Sequence, residues 1–150
     1  MTETARALLV AAILAAAGLA AYAVRVMQQD AADPGRLIGE LRFSQFAALL
    51  LATAGGAWLG IAAAHPPAAM GGIEVTLAIA TVVVAAWTLH QDTRMALVVL
   101  GSAFLAHALI DIAHRPGWLA ADLAPRWFVV GCAAHNVFMA AVCYGLRRRP

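Results

Sequence analysis

Three ionisable side chains, His107, Asp111 and His114, stand near the end of an apolar run at spacing i, i+4, i+7. On an α-helix those positions share one face, within roughly 60° of each other. Two imidazoles around a carboxylate form a donor set for a divalent metal such as zinc or iron. Helical bundles build such sites from side chains on facing helices. His135 and Asn136 lie about two and a half turns into a later apolar run, and Glu74 opens an earlier one. His107, Asp111, His114 and His135 are therefore candidate metal ligands, with Asp111 and Glu74 as candidate catalytic groups. Asn136 and His65 are secondary candidates. In this reading the metal lowers the pKa of a bound water, and a lipid-like substrate reaches the site from the membrane.

Each of these residues also has a plainer role. A His–Asp pair at i, i+4 can hydrogen-bond within its own helix and neutralise a buried carboxylate. His114 can lie solvated among headgroups beside Arg115. Asn136 can join helices, at about 0.6 kcal/mol for such a bond. Two other functions remain open beside the metal-dependent enzyme. One is a transport component or accessory subunit of a membrane complex, with His107, Asp111 and Glu74 as a proton or cation relay. The other is electron transfer through quinone or b-type haem, with His107 and His135 as axial ligands; Asp111 beside His107 suits haem less well. The chain has no glycine-rich phosphate loop, no CxxC and no nucleophile elbow.

The elements that must position these groups follow from composition. Of the 150 residues, 63% are hydrophobic and 12% charged, with a mean hydropathy of +0.81. Soluble domains carry about 25% charged residues. Long apolar runs separated by short polar clusters point to the bilayer. The pattern predicts an all-α, polytopic membrane bundle of about five transmembrane helices forming one integral membrane domain. They fall at about 7–24, 43–64, 72–90, 95–113 and 127–146, with an interfacial segment at 34–42. His65-Pro66-Pro67 stops the second run. Ala21-Tyr22-Ala23 resembles a signal cleavage site, yet the residues before the first run are barely basic, so it reads as a retained helix.

Seven of the ten arginines (25, 36, 42, 94, 147, 148 and 149) fall on one side of such a bundle. Residues 6, 115 and 126 fall on the other, which places the C-terminus in the cytoplasm and the N-terminus outside. His107, Asp111, His114, Glu74, His135 and His65 then share the outer half, and only His90 does not. Trp118, Trp127 and Tyr144 suit interfacial anchors, whereas Trp58 and Trp87 have no clear place. Ala12, Ala16 and Ala20, and likewise Ala52, Gly56 and Gly60, make small-residue ladders that serve either packing within the chain or a homo-oligomer. Cys132 and Cys143 are eleven residues apart on one run, roughly 16 Å along a helix, too far for a disulfide. The dispersed arginines leave no nucleic-acid footprint. The bilayer of a bacterial inner membrane, a lipid-like small molecule, a homo-oligomer or a larger membrane complex are the partners that fit.

Residues 72–143 resemble a family of small uncharacterised bacterial integral membrane proteins. The resemblance rests on Gly72-Ile73-Glu74 at a helix start, the H-x-x-x-D-x-x-H of His107, Asp111 and His114, and Cys132-Ala133-Ala134-His135-Asn136. It implies a multi-pass membrane fold and brings no activity with it. Asn136 stands where that pattern suggests an acid, which weakens a carboxylate-rich metal site.

Overall fold

In hydrocarbon, every backbone N–H and C=O must find its partner inside the chain, and a helix achieves this within one segment. Among the described residues the apolar runs accordingly fold as five helices: α1 Glu3–Met27, α2 Pro34–Ala63, α3 Gly72–Thr88, α4 Thr93–Ala113 and α5 Arg126–Arg147. The computed structural model describes residues 3–64, 72–114, 116, 118–119 and 123–147. His65, Pro66 and Pro67 lie outside the described residues, as do Arg115, Arg148 and Arg149. Four of the helices are long and apolar enough to cross a membrane. With its 17 residues, α3 is the short one, about 25 Å at helical rise. The chain is an all-helical, multi-pass membrane protein.

α1 extends beyond the expected 7–24 at both ends, and two other boundaries differ from the sequence pattern, each for a local reason. Residues 34–42 are not a separate interfacial segment but the first turns of α2, which runs unbroken for 30 residues. Asp33 caps it, its Oδ1 accepting from the Gly35 N–H at 2.7 Å, and Pro34 at the first position lacks the N–H that would go unused. At about 45 Å, α2 exceeds the hydrocarbon thickness of about 30 Å, so one end reaches the headgroup level. The third run closes at Thr88 rather than residue 90. There the N–H groups of Leu89, His90 and Gln91 donate to carbonyls three residues back, a tight turn that hands over to Asp92. The Asp92 carboxylate then accepts from Met95 N–H at 3.0 Å and starts α4.

Consecutive helices alternate in direction. α2 packs along α3, α4 along α5, and α1 lies against both α2 and α5. The main core gathers Phe43, Leu51, Leu97, Leu100, Phe104, Met139, Cys143 and Leu146 between α2, α4 and α5, with Ala23 and Val26 of α1. The outward faces keep Ile13, Leu14, Leu49, Val83, Leu109 and Val137 exposed, as a lipid-facing surface requires.

One glycine sets the frame for the site. A Cβ on Gly55 would come within 2.8 Å of the Ala78 carbonyl oxygen, so α2 and α3 touch backbone to backbone there. That contact carries Trp58, one turn further on, into the bundle. The ladder expected at Ala52, Gly56 and Gly60 does not pack within the chain as a unit, since nothing lies within 4 Å of a Cβ on Gly56 or Gly60. Of the ladder on α1, Ala16 is buried, and Ala12 and Ala20 are half-buried.

Candidate functional site: a buried carboxylate beside an apolar cavity

Asp111 is fully buried on α4, and three helices converge on it. Its Oδ1 accepts the indole N–H of Trp58 from α2 at 3.0 Å. Its Oδ2 accepts the Asn136 amide N–H from α5 at 2.8 Å. A carboxylate has acceptor oxygens only, and two neutral N–H donors aimed at it satisfy the group where water does not reach. His107, one turn earlier on α4, holds its Nε2 3.9 Å from Asp111 Oδ1, too far for a direct hydrogen bond.

A contact with Thr81 holds His107 against α3. The Thr81 hydroxyl donates to the Leu77 carbonyl at 2.9 Å, as α-helical threonines do. Thr81 Oγ1 also lies within hydrogen-bond distance of His107 Nδ1, 3.2 Å away, and which of the two donates follows the tautomer of the ring. Nε2 then lies on the side of the ring towards Asp111. α3 thus orients the imidazole, and α2 and α5 orient the carboxylate.

His114 takes a different course from the one its spacing predicts. α4 ends at Ala113, and His114 caps it. Its Nδ1 donates to the Ile110 carbonyl at 2.8 Å, and its ring stacks on the Trp58 indole, centroids 4.2 Å apart and 15° from parallel. His107, Asp111 and His114 therefore share a neighbourhood through Trp58 without pointing at a common centre. Among the described residues, no three His, Cys, Asp or Glu side chains are grouped to hold a metal ion.

Two cavities flank this wall of Trp58 and His107. The smaller, about 10 Å³, is lined by Glu74, His114, Trp58 and His107 with apolar neighbours. It has room for about one water. The larger, about 280 Å³, lies between α1, α2, α4 and α5. Leu8, Leu9, Ala12, Leu50, Ala54 and Ala57 make its apolar walls. His107, Trp58, Cys132, His135 and Asn136 contribute its polar margin. This volume is nearly twice that of the cavity of about 150 Å³ that binds benzene in an engineered core. α1 stays close at one end, where a Cβ on Gly131 would meet the Leu9 side chain at 2.9 Å.

The structure thus joins Trp58, Asp111 and Asn136 in one hydrogen-bond network with His107 beside it, places Glu74 and His114 on one side of Trp58, and sets His135 on the cavity side. His65 lies outside the described residues. Spacing alone did not mark Trp58 and Thr81. A tryptophan inside an apolar run is itself a signal, because a buried indole N–H needs an acceptor. Thr81 left no such trace, since its bond to Leu77 looks like any helical threonine. Both thiols are free, Cys143 buried and Cys132 half-buried. No family model matches the chain, and neither the curated proteins nor the solved structures provide a match.

Proposed function

We propose that this membrane protein binds a lipophilic small molecule inside its helical bundle, with the polar head of the ligand at His107, His135 and Asn136. One observation carries the reading: a cavity of about 280 Å³ is walled by Leu and Ala from α1 and α2 and edged by polar side chains from α4 and α5. Ligand sites have this character, mostly apolar with a few placed polar groups that set orientation. The ligand enters from lipid, so desolvation costs it little. Asp111 does not line the cavity; it positions Trp58 and Asn136, which do.

The test is a titration of the purified protein in nanodiscs with para-hexylphenol, a ring and a chain sized for the cavity, followed by thermal unfolding. A saturable rise in Tm is expected. Ala57→Leu narrows the cavity from α2, and in that variant the rise disappears while the helical circular dichroism remains. A shift that never saturates, or one that Ala57→Leu leaves intact, contradicts the proposal.

A further inference from the structure

The end of the bundle away from the apolar cavity carries a pair of exposed arginines. Helix direction alternates, so the start of α4 and the end of α5 come together there. Arg94 is the second residue of α4 and Arg147 the last of α5. Both are exposed, and among the described residues neither forms an ion pair. They share a cleft of about 630 Å³ with Asp92, Met95 and Val98. A second cleft, of about 540 Å³, reaches the same two arginines from the α2 side. The carboxylates in these clefts are already engaged. Glu40 holds Arg36 at 3.0 Å, and Asp92 caps α4 by accepting from Met95 N–H at 3.0 Å. His107 lies about 20 Å further along α4, so these clefts are separate from the apolar cavity.

Away from the arginines the first cleft turns apolar. Met95 is 47% exposed, and Val98, almost a turn further along α4, is half-buried. Deeper between the two helices, Tyr144 lies across α4. Its hydroxyl is 2.9 Å from Ser102 Oγ, and a Cβ on Gly101 would come within 2.9 Å of its ring. We infer that this cleft binds a phospholipid with a net anionic headgroup, its phosphate held by Arg94 and Arg147 and its chains starting along Met95 and Val98. A guanidinium presents paired N–H donors that match the oxygens of a phosphate. A small soluble anion would leave the apolar part of the cleft unfilled. A zwitterionic head would bring an ammonium up to two guanidiniums, with both carboxylates of the clefts already engaged.

The unmodified protein, purified in maltoside micelles, is titrated with dioctanoyl lipids and its thermal unfolding followed. Dioctanoyl phosphatidylglycerol should raise Tm saturably. Half of that shift should come at a concentration about tenfold lower than for dioctanoyl phosphatidylcholine, whose chains are the same. Inorganic phosphate at equal concentrations should leave Tm unchanged. Arg94→Gln combined with Arg147→Gln should abolish the preference between the lipids. Arg25→Gln combined with Arg42→Gln removes the same charge from residues that line neither cleft, and should keep it. Equal responses to the two lipids in the unmodified protein overturn the anionic headgroup. A shift with inorganic phosphate as large as with the lipid overturns the lipid in favour of a soluble anion. Equal losses in the two double variants reduce the effect to diffuse charge attraction and overturn the site at Arg94 and Arg147.

Discussion

Trp58 and Asp111 are 53 residues apart in sequence, yet the indole N–H of one donates to the carboxylate of the other at 3.0 Å, buried between α2 and α4. The bond ties α2 to α4, and the same carboxylate ties α4 to α5 through Asn136. Removing one partner of a buried bond leaves the other unsatisfied, at about 1–3 kcal/mol. Trp58→Phe keeps a ring for His114 to stack on but deletes the donor, and should lower stability by about that amount. In an Asp111→Leu background the same substitution should cost clearly less, since the acceptor has already gone. Thermal unfolding of the four proteins in detergent measures the coupling. Purely additive losses would show that the 3.0 Å contact has no energetic weight.

Helix contact can be tested at two neighbouring glycines. Gly55→Ala drives a methyl group to 2.8 Å from the Ala78 carbonyl oxygen, whereas at Gly56 nothing lies within 4 Å. Since backbone cannot swing aside like a side chain, Gly55→Ala should destabilise by about 1–3 kcal/mol. Gly56→Ala should be neutral within about 0.5 kcal/mol. Tm values for the pair provide the comparison. Equal effects would mean that α2 and α3 do not approach as closely as described.

The two thiols should differ in access. Cys132 is half-buried and lines the cavity, while Cys143 is fully buried in the main core. Methylmercury, small and lipophilic, should label Cys132 and spare Cys143, with para-hexylphenol slowing the reaction. Intact-mass measurement with peptide mapping reports the position. Labelling of Cys143 first, or no protection by the phenol, would count against the cavity as its entry route.

The membrane bundle was legible because hydropathy and punctuation act locally. Runs of apolar residues and the Asp33 and Asp92 caps are read one segment at a time. The face shared by His107 and Asp111 was legible for the same reason, being a matter of helical period. His114 broke the pattern because α4 ends one residue before it, and its ring found Trp58 instead of a common centre. Trp58, Thr81 and the cavity could not be read that way. Their roles depend on which helix faces come together, and on the α2–α3 contact at Gly55, which looks no different in sequence from Gly56 or Gly60.

The binding of a lipophilic ligand between α1, α2, α4 and α5 is tested most directly by photocrosslinking with a diazirine-bearing alkylphenol, mapped by mass spectrometry. Crosslinks at Ala54, Ala57, Leu9 or Cys132, which line the cavity, should saturate with probe concentration and fall away with excess unlabelled para-hexylphenol. Crosslinks confined to the lipid-facing Leu14, Leu49 and Leu109, rising without saturation and indifferent to competitor, would place the ligand outside the bundle and contradict the binding site.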